Sequence, residues 1–113
     1  MQTLPSTAEL RQQLRQHIRK TRQNLTALQQ QQAAQRITQL SFIKQHQARN
    51  IALYLAVDGE IATQPLIEQL WQQGKNVYLP VLHPFCKGHL LFLHYLPDTP
   101  MKQNKYGIFE PHL

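Results

Sequence analysis

Leu10, Leu14 and Ile18 recur every four residues through an otherwise polar stretch, the spacing that keeps side chains on one stripe of a helix. Ser6 and Glu9 stand just ahead at the capping-box interval, in which the Ser hydroxyl takes the N3 amide and the acid reaches back to the cap. A helix is therefore predicted from there to about Arg22. Thr26 and Gln29 repeat the interval at once. Leu28, Ala33, Ile37, Leu40 and Ile43 then give a looser apolar face to a second helix reaching about residue 46. The low-complexity run Gln29 to Gln32 lies inside it and is made of a fair helix former.

The pattern next changes to a continuous apolar run, Ile51 to Val57, which reads as a strand buried on both faces and ended by Asp58-Gly59. Thr63 can cap a third helix with Pro65 in its first turn. Leu66, Ile67, Leu70 and Trp71 form its apolar face, and Gly74 stops it. Val77 to Leu79 is another short strand. Strand, helix and strand within about 30 residues make a βαβ unit, whose two strands are expected to be parallel. A Pro84 to Gly88 turn, a third strand over His89 to Leu96 and a Pro-punctuated tail complete the chain. The class is α/β with a sheet that is at least partly parallel. Three strands, one crossover helix and two N-terminal helices leave an edge that nothing obvious covers, so the fold reads as unfinished.

At 113 residues and 42% apolar content the chain fills one hydrophobic core, and residues 1–113 are read as one domain. Its apolar runs fall short of the roughly 18 to 20 residues of a membrane-spanning helix, and no apolar stretch follows a basic start. A soluble, cytoplasmic protein is expected. Cys86 is the single cysteine, which excludes an internal disulfide and a C-x-x-C redox or zinc pair and fits a reducing compartment. Residues 1–50 carry eight Lys and Arg against one acid, Glu9, for a net +7, while the remainder is −1. An anionic partner is expected to meet the N-terminal half.

Arg11, Arg15, Arg19 and Arg22 are spaced 4, 4 and 3 apart, aligning four guanidinium groups along one side of the first helix. Such a row can clamp a triphosphate, track a nucleic-acid backbone, or be a solvated face. Aromatic residues that would stack on bases are missing from residues 1–41, which argues against nucleic acid. Glu60 follows the first strand, where open α/β sheets bind ligands, and its carboxylate can accept from the N–H groups of a heterocycle or stand as a solvated turn acid. Tyr54 leads toward it. Tyr106, beside Gly107, can offer a stacking platform or pack on the core. The histidines show no metal-ligand spacing, so no structural metal is expected, and there is no G-x-x-x-x-G-K-[ST] phosphate loop.

Taken in order, Leu14-Arg15, Ile51-Ala-Leu-Tyr-Leu, Asp58-Gly-Glu-Ile61, Pro65-Leu-Ile, Gly74-Lys75, Val77-Tyr-Leu-Pro80 and Tyr106-Gly-Ile-Phe-Glu-Pro111 resemble the 5-formyltetrahydrofolate cyclo-ligase (5,10-methenyltetrahydrofolate synthetase) family. The resemblance spans nearly the whole chain. It implies a Rossmann-like three-layer α/β/α fold with a mixed, mostly parallel sheet, and a monomer. It also implies conversion of 5-formyltetrahydrofolate to 5,10-methenyltetrahydrofolate with ATP and Mg2+, releasing ADP and phosphate through a phosphorylated formyl intermediate. On the matching positions, Arg15 reaches the ATP phosphates, with Arg11 where many members have lysine and Arg19 as an extrapolation. Glu60 holds the folate, Tyr106 packs on the pterin, and Tyr54 and Leu55 line the same pocket. No residue is assigned to the chemical step and no metal ligand falls in this segment. The family's glycine-rich G-x-G-x-G-x-Tyr-Asp loop has no counterpart here, so the chain reads as the truncated N-terminal part of the cyclo-ligase domain, inactive alone. The alternatives are a folate-binding module without catalysis and a basic-helix protein binding nucleic acid or other anions.

Overall fold

The computed structural model describes residues 4–40 and 47–112. Helix α1 spans Thr7–Gln23 and α2 spans Ala27–Ile37, each opened by the capping box expected of it. Ser6 Oγ accepts from the Glu9 amide at 3.1 Å while Glu9 Oε2 accepts from the Ser6 amide, and Thr26 and Gln29 repeat the exchange. Two orphan donors are satisfied at each start. The second helix ends at Ile37 rather than near residue 46, and Ile43 lies outside the described residues.

Strand β1 is Asn50–Ala52, α3 is Gln64–Gln72, β2 is Asn76–Leu82 and β3 is Leu90–Tyr95. The order in the sheet is β1, β2, β3. β1 and β2 run parallel with Ile51 opposite Val77, as the βαβ reading requires, and β3 returns antiparallel with Leu93 opposite Leu79. Helix α3 stops in a Schellman motif: the Lys75 amide donates to Leu70 O, the Gly74 amide donates to Trp71 O, and Gly74 takes φ 75°.

One face of this sheet is the core. Ile67 and Val77 are fully buried, Leu66 and Leu70 nearly so, and Ile37, Ile51, Leu53, Leu55, Trp71 and Tyr95 pack around them half-buried. Trp71 Nε1 donates to Tyr95 O at 2.9 Å, so the one polar atom of the indole is satisfied against the edge of the sheet. Thr63 sits at the cap position of α3 but makes no capping bond; its hydroxyl donates to Tyr54 O instead, tying the helix entry to the end of the first strand.

Three expectations are corrected. The run Ile51 to Val57 pairs with β2 only at its start, with the Leu53 amide donating the last bond to Tyr78 O, and is not buried on both faces: Ile51, Leu53 and Leu55 turn toward α3 while Ala52, Tyr54 and Ala56 are exposed. The sheet is mixed but not mostly parallel among the described residues, because its pairing of β2 with β3 is antiparallel, as is a separate two-stranded pair outside it. That pair, β4 (Met101–Gln103) and β5 (Phe109–Pro111), occupies what the pattern left as tail. The opposite face of the sheet is open, with Phe92 and Leu90 each 53% exposed, and none of the 17 residues of α1 is buried. The radius of gyration is 17.4 Å, above the roughly 13 Å of a compact chain this long.

Candidate functional site

Residues 57–60 form a tight reversal at the end of the first extended run. The Glu60 amide donates to Val57 O at 3.1 Å, and Asp58 (φ 55°) and Gly59 (φ 78°) both occupy the left-handed region, the pattern of a type I′ turn for which Asp-Gly is favoured. Glu60 Oε1 in turn accepts from the Val57 amide at 3.1 Å. The acid is thereby aimed by its own turn.

The basic helix docks on this reversal. Arg19 Nε lies 2.6 Å from Asp58 Oδ2, Arg22 stands 3.7 Å from the same oxygen, and Gln23 Nε2 donates to Asp58 Oδ1 at 2.8 Å. The hydrogen bond from Gln23, then that from Arg19, hold the Asp58 carboxyl below the usual carboxylate range; partial desolvation opposes them, and the charges of Arg19 and Arg22 add to the lowering. Gly59 faces Arg22, whose backbone carbon and Cβ would lie in ordinary contact, 3.4 Å, from a Cβ placed there. Gln30 Nε2 of α2 donates to Gly59 O at 2.8 Å. Two helices therefore grip one four-residue turn.

Beside the turn is a shallow cleft of about 190 Å³ lined by Tyr54, Leu55, Glu60, Pro80, Ile108 and Phe109, among others. Its floor is the core strand β2 and its wall is the approach to β5. The lining is chiefly apolar with the Glu60 carboxylate as its one acid, a combination suited to a flat heterocycle that presents N–H donors. Tyr54, Leu55 and Glu60 are thus brought together as the sequence suggested. Tyr106 lines a neighbouring cleft of about 290 Å³ with Leu82, His83 and His89, and it is 67% exposed rather than packed on the core.

The arginine row divides. Arg19 and Arg22 meet Asp58, whereas among the described residues neither Arg11 nor Arg15 lies within ion-pair distance of a carboxylate. The upper half of the helix is left with two guanidinium groups available to an anion. Among the described residues no group of three or more His, Cys, Asp or Glu is placed to hold a metal ion. No helix of the described residues is long and apolar enough to cross a membrane.

Sequence reasoning passed over Asp58 as a docking residue and Asn104 as the organiser of the second cleft. Asn104 Oδ1 accepts from the amides of Tyr106 (2.9 Å) and Ile108 (3.2 Å), and its own amide donates to Ile108 O. That arrangement closes the β4–β5 hairpin and fixes where Tyr106 stands. The signal was present in Asn104 preceding Gly107, an Asx-type turn former followed by a residue tolerant of φ 75°.

The 5-formyltetrahydrofolate cyclo-ligase family model matches residues 5–113. The chain is 68% identical over 105 residues to the 5-formyltetrahydrofolate cyclo-ligase of Haemophilus influenzae, covering 91% of this chain and 56% of that protein. It is 48% identical over 98 residues to the protein of the same name from Escherichia coli K12, covering 85% of this chain and 54% of the relative. The chain therefore spans about half the length of the curated relatives it matches.

Proposed function

The chain belongs to the 5-formyltetrahydrofolate cyclo-ligase family, and from that premise we propose that it contributes the folate-holding side of an ATP-dependent ring closure. In this reading the formyl oxygen of 5-formyltetrahydrofolate attacks the γ-phosphorus of ATP and the bond to ADP breaks. The second folate nitrogen then adds to the activated carbon and loses its proton, the carbon–oxygen bond breaks, and phosphate carries the oxygen away. The product is 5,10-methenyltetrahydrofolate. A formamide oxygen leaves poorly until it is phosphorylated, and phosphoryl transfer rests on positioning and charge neutralisation.

The observation that carries this reading is the Glu60 turn: a carboxylate held by its own backbone stands in an apolar cleft with Tyr54 and Leu55. Glu60 accepts N–H groups of the reduced pterin while Tyr54 and Leu55 cover its ring. Tyr106 provides a second aromatic surface from the neighbouring cleft. Arg15, with Arg11, meets the phosphates of ATP. Arg19 takes a different part from a direct phosphate ligand, because its Nε is engaged by Asp58 and it sets the helix against the folate turn.

The remaining portion of the fold, which the sequence resemblance fills with a glycine-rich phosphate loop, supplies the other side of the nucleotide site. A polypeptide of residues 1–113 alone is accordingly expected to show no useful turnover. The test is phosphate release from ATP dependent on 5-formyltetrahydrofolate, measured for this polypeptide and for a protein in which the same 113 residues are joined to the complementary part of the H. influenzae relative. Turnover by the joined protein alone is expected; turnover by the short chain at a comparable rate refutes the division of labour, and turnover by neither refutes the activity.

A further inference from the structure

Glu110 is the one acid buried among the described residues, with 4% of its surface exposed, and the ring closure gives it no part. It lines neither cleft. Its Oε2 accepts from the Leu82 amide at 3.3 Å and from Asn104 Nδ2 at 3.4 Å, so one oxygen bridges the end of β2 to the turn between β4 and β5. The sequence of β2 explains why that amide is available. Alternate residues of a strand turn their backbone groups to the same neighbour. On the side of β1 the Asn76 amide donates to Arg49 O and Tyr78 O accepts from Leu53, whereas Pro80, next in the row, has no N–H. Leu82 follows, four residues past the last bond to the Ile51–Val57 run. A donor left unpaired away from water is costly, and the Glu110 carboxylate supplies the acceptor that a continuing strand would have supplied.

The first cleft opens in that gap. Pro80 lies in its floor, with Tyr54, Leu55 and Glu60 on the side of the departing run and Ile108 and Phe109 on the side of the hairpin. The hairpin side is fixed through Glu110: Asn104 gives Nδ2 to the carboxylate while its Oδ1 takes the amides of Tyr106 and Ile108, and Phe109 is the residue next to Glu110 in the chain. A cleft wall keeps its place only when the groups behind it are locked by packing and hydrogen bonds of their own. We propose that Glu110 is the positioning residue of the folate cleft: by bridging Leu82 and Asn104 its carboxylate sets the distance between the Ile108–Phe109 wall and Glu60, and with it the fit of the pterin ring. The proposal rests on the folate reading for the ligand and on the bridge for the geometry.

The test titrates one-glutamate 5-formyltetrahydrofolate calorimetrically into the whole 113-residue chain and three variants, each shown to be folded by circular dichroism. A pH of about 8 keeps every carboxylate charged. Both bonds end on one oxygen, so Glu110→Gln can keep both through its carbonyl and is expected to bind within about twofold of the wild type. Glu110→Ala loses both and is expected to bind about tenfold more weakly, inside the roughly hundredfold that a misplacement of about 1 Å can cost. Asn104→Asp keeps the oxygen that takes the Tyr106 and Ile108 amides but has no donor for Glu110; it is expected to follow Glu110→Ala, and it carries the test if Glu110→Ala does not fold. Hydrogen exchange of the Leu82 amide checks the bridge itself and is expected to be slow in the wild type and Glu110→Gln and fast in Glu110→Ala. Full folate affinity in folded Glu110→Ala or Asn104→Asp, weakened affinity in Glu110→Gln, or equal Leu82 exchange in the wild type and Glu110→Ala overturns the positioning role and leaves the folate reading standing. No folate binding by the wild type sinks that reading and this proposal together.

Discussion

Arg19 Nε lies 2.6 Å from Asp58 Oδ2, and this contact, with Gln23 on the other carboxylate oxygen, fastens the end of the basic helix to the turn that carries Glu60. A charge row that could have been a uniform anion clamp is divided between holding the turn and facing outward.

Asp58 makes the docking pH-dependent. Its carboxyl is held below the usual range in the folded chain, so its contribution to stability is complete above the unfolded value near 3.9 and fades as pH falls through the lower, folded value. Thermal melts of the wild type and Asp58→Asn should differ at pH 6, with the variant less stable, and converge as pH drops below about 4. Asn tolerates the left-handed backbone at φ 55°, so the comparison removes charge rather than turn geometry. A difference that persists unchanged at low pH would contradict this account.

Gly59 and Gly88 separate strain from packing. Both have positive φ, but a Cβ at Gly59 meets Arg22 whereas one at Gly88 meets nothing within 4 Å. Replacement of either by Ala should cost about 1–2 kcal/mol for the left-handed backbone. At 3.4 Å the added methyl makes ordinary contact with Arg22, so Gly59→Ala should cost no more than Gly88→Ala and leave proteolysis within residues 7–23 unchanged. A clearly lower denaturant midpoint for Gly59→Ala alone would mean that the turn and α1 leave no room for a methyl group.

The apolar stripe of α1 and the core should respond very differently to truncation. Ile67 has no exposed surface, so Ile67→Ala should destabilise by about 2–5 kcal/mol, enough to unfold a marginal domain. Leu14 is 59% exposed, and Leu14→Ala should change stability by less than about 0.5 kcal/mol. Chemical denaturation of both variants measures this directly; a large loss in Leu14→Ala would mean that the stripe packs within this chain after all.

Arg15 and Arg19 are expected to separate in the same way. Arg19→Gln should lower the melting temperature at neutral pH and show coupling with Asp58→Asn in a double-mutant cycle, because it removes the same contact. Arg15→Gln should leave stability within about 0.5 kcal/mol and instead weaken nucleotide use in the joined, active protein. Coupling of Arg15 rather than Arg19 to Asp58 would reverse the assignment.

What could be read from the chain beforehand was whatever depended on neighbours in sequence. Both capping boxes, the Gly74 stop and the parallel pairing through α3 follow from residues a few positions apart. The length of β1 did not: its pairing with β2 ends opposite Tyr78 although the apolar run goes on to Val57. Thr63 looked like a cap, but its hydroxyl donates to Tyr54 O, nine residues back, and accepts from no amide of α3. The β4–β5 pair hid because three-residue strands carry almost no periodicity, and only Asn104 marked the turn between them. At the site, Tyr54, Leu55 and Glu60 are neighbours in sequence and emerged together, whereas the contact of Arg19 with Asp58 crosses 39 positions and the placing of Tyr106 in a separate cleft depends on a hairpin the pattern did not reveal.

In the proposed function the Glu60 turn holds the reduced folate. Calorimetric titration of one-glutamate 5-formyltetrahydrofolate into the wild type and Glu60→Gln, with circular dichroism to confirm an unchanged fold, tests it most directly. A carboxylate accepting N–H groups contributes about 1.5–3 kcal/mol, so the variant should bind at least about tenfold more weakly. Equal affinity in two equally folded proteins would contradict the assignment of Glu60 and with it the folate cleft.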